Sequence, residues 1–265
     1  MPVAIVTGGS SGIGLALVNA FLERGWNVVV ADLNPPPESD QAASVLFVKT
    51  NVASWDSQAE MFAQAIAKFG KIDYVAANAG IDDKQLLYDD VPGPDDKPTR
   101  PNLITVEIDL IGVFYTVWLS LFYFRRNPTV KGGRIAITCS NAGIYPFPTN
   151  PQYATCKHAI VGLVRSTASV LKHENVTINC VCPAFVETNL APKEIIAKMP
   201  KEHITPMSTI MRAFLAFQDD PSLTGQVAEC SLGDIYYREV LPYANDSERW
   251  MFETNPLWDS AYGGN

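Results

Sequence analysis

The sequence predicts an α/β fold in one domain over residues 1–265, a doubly wound parallel sheet with helices on both faces. Three observations predict it. Short apolar runs of strand length alternate with helical stretches along most of the chain, the pattern of parallel strands joined by crossover helices. A glycine-rich turn, Thr7 to Gly14, stands between the first apolar run and the first helix. Hydrophobic residues make up 47% and charged residues 18% of 265 residues, enough apolar surface for one large core.

Residues 3–6 read as a short buried strand entering Thr7-Gly-Gly-Ser-Ser-Gly-Ile-Gly14. Residues 15–24 read as the helix that follows, and Gly25 as its stop. Strand, glycine turn and helix in that order make a pyrophosphate site, because a helix N-terminus offers free N–H groups to an anion. Gly8 permits the tight turn, Gly12 a close backbone approach, and Gly14 tight helix packing. The spacing is G-x-x-x-G-x-G rather than the more usual G-x-G-x-x-G. The next strand, 26–31, ends in Asp32. A carboxylate there accepts hydrogen bonds from ribose hydroxyls and repels a 2′-phosphate. Ser11 precedes Gly12 and Leu33-Asn34 follow Asp32, so no neighbouring arginine or lysine neutralises a phosphate. NAD is therefore expected over NADP.

Asn34-Pro-Pro-Pro37 forces a loop, and 44–49 is a third strand leading to Asn51-Val52. A helix over 57–69 stops at Gly70, and strand 72–77 runs into Asn78-Ala-Gly80. Residues 82–101 break the rhythm with paired aspartates between prolines. This long acidic loop either borders a substrate entrance or merely connects its neighbours. A long apolar helix, 102–126, precedes strand 134–139, with Ser140 at its end. Helix 151–173 carries Tyr153 and Lys157, and strand 177–182 ends at Pro183-Ala-Phe-Val-Glu-Thr188. Residues 189–224 read as a helical excursion, 193–198 and 207–217, usable as a lid over the substrate. The final strand is 226–232. The tail, 234–265, holds Tyr236, Tyr237, Tyr243, Trp250, Phe252, Trp258 and Tyr262, and reads as packing onto the body or a neighbouring subunit. The candidate residues gather at the carboxyl ends of strands, where open parallel sheets bind ligands.

The net charge of -8 and the lack of a basic cluster argue against a nucleic-acid partner. Five scattered cysteines, Cys139, Cys156, Cys180, Cys182 and Cys230, suggest reduced thiols rather than a disulfide framework. Cys180-x-Cys182 lies in an apparent strand with no second ligand pair, so core packing is expected and no metal. The longest apolar run, 110–124, is shorter than a membrane span needs and abuts Asp109. With no basic leader before residue 3, a soluble cytoplasmic protein is expected.

The chemistry centres on Tyr153-Ala-Thr-Cys-Lys157. On a helix, residues four apart share a face. An ammonium beside a phenol favours the phenolate and pulls its pKa down from about 10. Such a phenol gives or takes a proton in a transition state. Ser140, at the end of a buried strand, is placed to bind the same substrate oxygen. Each feature alone is commonplace: a Tyr-x-x-x-Lys usually lies on a helix surface, and a serine after a strand usually caps a turn. The combination with the glycine loop reverses that weighting.

Together, Thr7 to Gly14, Asn78-Ala-Gly80, Ser140, Tyr153-x-x-x-Lys157 and Pro183 through Thr188 resemble the short-chain dehydrogenase/reductase family over about residues 3–232. The resemblance implies a Rossmann sheet of seven parallel strands in the order 3-2-1-4-5-6-7. It implies Tyr153 as general acid in reduction and base in oxidation, Ser140 polarising the substrate oxygen, and Lys157 holding the nicotinamide ribose. The implied cofactor contacts begin with the loop residues Gly8, Ser10, Gly12, Ile13 and Gly14, then Asp32 and Leu33. Asn51 and Val52 follow, then Asn78, Ala79 and Gly80, and finally Tyr153, Lys157, Pro183, Val186 and Thr188. Two departures stand out. Asp109-Leu-Ile-Gly112 occupies the place of the family's Asn-x-x-Gly, whose asparagine completes a water-linked proton relay. Asp109 either accepts from the same water or pairs with Lys157, but cannot donate when ionised. Pro183-Ala184 replaces the family's Pro-Gly. Within the family the chain is most similar to hydroxyprostaglandin-dehydrogenase-like members and to fungal enzymes of specialised metabolism. The family's habit of pairing through the helices equivalent to 103–126 and 151–172 implies a homodimer or homotetramer.

The expected activity is reversible hydride transfer between a secondary alcohol or ketone and a nicotinamide. Ile144, Tyr145, Phe147 and Phe185 suggest a lipophilic substrate, though they suit a core equally well. Two rivals remain at this point: a non-catalytic dinucleotide-binding scaffold, and a cyclase or isomerase that has redirected the pocket.

Overall fold

β1 (Val3–Thr7) is buried along its whole length, as a strand must be when helices cover both faces of a parallel sheet. The structure is a computed structural model describing residues 1–37 and 42–254. Trp258 and Tyr262 of the aromatic tail lie outside the described residues. From β1 the chain passes through the glycine loop into α1 (Gly12–Glu23) and returns as β2 (Asn27–Asp32). β3 (Val45–Lys49), α2 (Trp55–Phe69) and β4 (Tyr74–Ala77) follow. The limits of α2 are set locally. Ser54 Oγ accepts from the Ser57 amide at its start, 3.3 Å away, and Gly70 ends it at φ 79, a left-handed conformation that favours glycine.

The second half begins with α3 (Ile104–Val106), which runs through a π-helical turn, Glu107–Ile111, into α4 (Gly112–Phe124). β5 (Gly133–Thr138), α5 (Pro151–Leu171) and β6 (Val176–Pro183) follow. Beyond them lie α6 (Lys193–Lys198), α7 (Met207–Asp219), β7 (Val227–Ser231), β8 (Asp234–Tyr237) and α8 (Asp246–Arg249).

The sheet order is β3-β2-β1-β4-β5-β6-β7-β8. β1 to β7 are parallel and β8 is antiparallel to β7. The expected order is therefore found, but among the described residues the sheet has eight strands, not seven. The added strand comes from the tail. Leu232-Gly233 reverses the chain with Leu232 at φ 51, and buried Thr205 and Thr209 grip the Leu232 backbone at 3.0 and 2.7 Å. A hairpin held by threonines 23 and 27 residues away leaves no local turn signature.

The two faces of the sheet bury different side chains. Ile5, Val29, Val75, Ile135, Ile137 and Ile178 face the layer containing α2, α4 and α5. Ala4, Val6, Val28, Val30, Ala76 and Ala136 face α1 and α7. The smaller face lets α7 press Ile210, Ala213, Phe214 and Phe217 into the core. Helix α7 is thus part of the body, and of the 189–224 excursion Asn189 and Leu190 line the cleft. The helix expected over 102–126 is found over 104–124. Ile104–Phe124 is 21 residues with mean hydropathy 1.6, enough by length and composition to cross a membrane. Its Val113, Val117, Leu119 and Phe124 instead pack into the core.

Candidate active site

The strand order reverses between β1 and β4, so the connections leaving those strands diverge and open a crevice at their carboxyl ends. A cleft of about 360 Å³ lies there. Its walls include Gly8, Gly12, Ile13, Asp32, Leu33, Asn51, Val52, Asn78, Ala79 and Gly80 on one side. Tyr153, Lys157 and Thr188 line it on the other. Ser10, Gly14, Pro183 and Val186, expected at the cofactor, are not in its wall. Ser10 reaches away instead, its hydroxyl donating to the Asn34 carbonyl at 2.6 Å. Thr50, Ile108, Asn189 and Leu190 line the cleft without having been singled out by any motif.

The glycine end is set by backbone geometry. Gly12 has φ 52, and a Cβ on Gly14 would lie 2.1 Å from the Gly8 carbonyl oxygen. Ser11 starts α1 without a side-chain cap, leaving first-turn N–H groups free for an anion. Asn78 fastens this end to the sheet. Its side-chain amide donates to the Thr7 carbonyl at 3.0 Å, and its side-chain oxygen accepts from Thr138 Oγ1 at 2.8 Å. Asp32 accepts from the Ser10 and Asn34 amides, each at 3.1 Å. A free helix start, a glycine cradle and a carboxylate at the end of β2 together fit a dinucleotide.

The tyrosine end is different. Lys157 Nζ lies 5.0 Å from the Tyr153 ring centroid, donates to the Thr138 carbonyl at 3.3 Å and pairs with Asp109 Oδ2 at 3.0 Å. Asp109 is fully buried. It sits in the π-helical turn, a distortion frequent at functional sites, and its Oδ1 accepts from the Ile81 amide at 2.8 Å. Of the two roles open to Asp109, the direct pair with Lys157 is the one observed. Burial works against the Lys157 ammonium, yet Asp109 beside it holds its pKa above the ordinary lysine value. Burial also raises Asp109, although Lys157 pulls it down.

Tyr153 departs from expectation. Burial lifts its pKa above the ordinary tyrosine value, and the opposing pull of Lys157 and Ser140 does not overcome it. Asp109 and Cys139 push in the same direction as burial. The pull of the ammonium on the phenol is opposed in part by its own carboxylate partner. Ser140 is buried beside this group. Its hydroxyl donates to Asn141 Oδ1 at 3.2 Å and accepts from the Ala142 amide at 3.1 Å.

The four residues expected around the substrate do not line the cleft. Ile144 packs against the core, and Tyr145 bonds Glu229 and Arg238 at 3.1 Å each. The five cysteines are free and buried. Cys139, from the neighbouring strand end, brings its sulfur within 4.8 Å of those of Cys180 and Cys182, a cluster the linear spacing did not reveal.

The profile of the short chain dehydrogenase family matches residues 2–198. A short-chain dehydrogenase/reductase of Penicillium rubens, prx6, is 32% identical over 98% of this chain and 94% of its own. The Acremonium egyptiacum enzyme ascJ is 34% identical over 90% of this chain and 80% of its own. The 5′-hydroxyaverantin dehydrogenase of Dothistroma septosporum is 34% identical over 70% and 67%. Among solved structures, a Leptospira borgpetersenii short chain dehydrogenase with bound NAD+ superposes with a TM-score of 0.73 at 19% identity, covering 88% of this chain and 92% of its own. ElxO with NADP bound gives 0.73 at 22%, covering 88% and 97%. These two share the fold and differ in cofactor. By its matched profile and its fungal relatives, this chain belongs to the short chain dehydrogenase family.

Proposed function

We propose that the chain interconverts a secondary alcohol and a ketone on a lipophilic small molecule, using NAD(H), with Tyr153 as general acid and base. The observation that carries this reading is that Tyr153 and Lys157 share one cleft with the glycine loop and Asp32. When bound there, the nicotinamide supplies or accepts the hydride. Tyr153 gives its proton to the carbonyl oxygen as charge develops on it. Ser140 turns its hydroxyl from Asn141 to that oxygen and holds it. Lys157, kept charged by Asp109, stabilises the phenolate left behind. Protonated, this phenol is the acid that reduction of the ketone requires; as phenolate it is the base that oxidation of the alcohol requires.

The preference for NAD rests on Asp32. Each of its oxygens accepts one backbone N–H, leaving lone pairs for ribose hydroxyls and a charge that repels a 2′-phosphate. The lipophilic substrate is supported by the apolar side chains Ile81, Ile108 and Leu190 in the cleft wall. A relative named for its action on 5′-hydroxyaverantin supports a hydroxyl-bearing small molecule. Phe114, Trp118 and Phe122 form an exposed apolar stripe on α4, which supports a homodimer or homotetramer.

The test is a panel of lipophilic ketones and secondary alcohols, followed by absorbance of the reduced cofactor. Tyr153→Phe should keep NADH binding and lose turnover by about 10²–10⁴-fold, the usual worth of a general acid. Turnover by Tyr153→Phe at the unaltered rate would remove the assigned chemistry. A chain that binds NADH but reduces nothing in the panel would favour the scaffold or isomerase alternatives.

A further inference from the structure

We propose that Asp83 is a positioning residue for Tyr153, holding the first turn of the catalytic helix from the acidic loop on the other side of the cleft. The proposal rests on the reading of Tyr153 as the proton donor. α5 begins at Pro151, and the N–H groups of its first turn have no partners within the helix. The residue at its cap position, Asn150, makes no capping bond, because its side-chain amide donates to Asp82 instead. The cap is supplied from outside. Asp83 Oδ2 accepts from the Gln152 amide at 3.0 Å, and Oδ1 accepts from the Tyr153 amide at 2.8 Å. One carboxylate thus grips two consecutive N–H groups at the positive end of the helix, where a negative charge is favoured. One of those amides belongs to Tyr153 itself.

Residues 81 to 84 form a strap whose other contacts reach the same machinery. The Ile81 amide donates to Asp109 Oδ1 at 2.8 Å, and Thr105 Oγ1 donates to the Asp82 carbonyl at 3.3 Å. Gln152 returns a bond to the strap's far side, its side-chain amide donating to the Gln85 carbonyl at 2.9 Å. Ile81, Asp82 and Lys84 line the cofactor cleft. The strap therefore fixes Asp109 with one residue and Tyr153 with another two positions along. Moving Asp83 moves the start of α5 relative to Asp109 and Lys157, and an error near 1 Å in such placement costs about 10²-fold in rate.

Asp83→Ala removes both acceptors, while Asp83→Asn keeps one oxygen in place. The experiment compares both with the unaltered protein, using the ketone reduced fastest in the panel and NADH, with hydrogen exchange read on the peptide covering the start of α5. For Asp83→Ala the expected result is a kcat lower by about 10²-fold, NADH affinity within about twofold, and faster exchange at Gln152 and Tyr153. Asp83→Asn should recover most of that kcat. Unchanged kcat in Asp83→Ala overturns the proposal. So does a loss shared equally between kcat and NADH affinity that Asp83→Asn does not restore, since that marks a general structural role. If Asp83→Ala does not fold, Asp83→Ser takes its place, because its single oxygen cannot hold both amides, and an unchanged kcat in that variant overturns the proposal in the same way. Failure of the parent reading looks different, because Tyr153→Phe would then remain active whatever Asp83 does.

Discussion

At the glycine end of the cleft the backbone sets the geometry, whereas at the tyrosine end three carboxylates do. Gly12 at positive φ and Gly14 against the Gly8 carbonyl leave little freedom once those residues are in the chain. Asp109, Asp82 and Asp83 act through contacts spanning 28 to 70 residues. The two ends should fail differently. Damage to the first should show as lost cofactor affinity, and damage to the second as lost stability and altered proton chemistry.

The largest effect expected from this contrast is at Asp109. Its removal in Asp109→Ala strands the Lys157 ammonium, 3% exposed, in the core. Breaking a buried pair by deleting one partner costs about 3–5 kcal/mol, which urea denaturation would measure. The loss should shrink as pH rises, because burial alone lowers a lysine pKa and lets Lys157 shed its proton. A loss that stays constant from neutral to alkaline pH would mean that Lys157 finds another counter-charge. Asp109→Asn is the gentler form, keeping an acceptor for the Ile81 amide. It removes a charge that raises the Tyr153 pKa, so Tyr153 should ionise at lower pH. The alkaline limb of ketone reduction, where the acid is lost, should move down in pH. The rise of alcohol oxidation, which needs the phenolate, should move the same way. A profile that does not move would separate Asp109 from the proton chemistry altogether.

The same contrast explains what the sequence could reveal. The glycine loop, Asp32, Asn78, Ser140, Tyr153 and Lys157 are legible because their requirement is local: a φ angle, a strand end, a spacing of four on a helix. The parallel sheet with helices on both faces was reachable for the same reason, since alternating strands and helices leave few topologies; its strand order came from the family resemblance. What stayed hidden depends on partners far along the chain. The β8 hairpin relies on Thr205 and Thr209, the cap of α5 on Asp83, and the three-sulfur cluster on Cys139 crossing to Cys180 and Cys182. The Tyr153 pKa was misjudged in direction because burial, unlike spacing, is a property of the whole fold. A lysine four residues away was visible; the carboxylate that opposes it was visible too, but its distance was not.

Gly14→Ala should produce a smaller loss than Asp109→Ala, and of a different kind. The added methyl meets the Gly8 carbonyl at 2.1 Å and the Asn78 amide nitrogen at 2.6 Å, so loop and helix must part. Overpacking of this sort costs about 1–3 kcal/mol. The shift falls on the turn that cradles the pyrophosphate, so NADH affinity should drop while the pH dependence of turnover at saturating NADH stays as it was. A changed pH profile in Gly14→Ala would show that the two ends are mechanically coupled, against the separation drawn above.

The smallest effect is expected at Asp32, whose contacts with the frame are two backbone amides and whose larger role is toward the ligand. Its carboxylate accepts from Ser10 and Asn34 amides that other oxygens or water can satisfy at the partly exposed end of β2, so Asp32→Ala should leave stability nearly unchanged. What it loses is a charged acceptor for ribose hydroxyls, worth about 1.5–3 kcal/mol, and the repulsion of a 2′-phosphate. Titrating NADH and NADPH against tryptophan fluorescence should show NADH binding weakened by about tenfold or more and NADPH binding unchanged or tighter. Equal weakening of both would mean that Asp32 shapes the loop rather than reading the ribose. Tighter binding of NADPH by the unaltered protein would overturn the cofactor assignment while leaving Tyr153, Lys157 and Asp109 untouched.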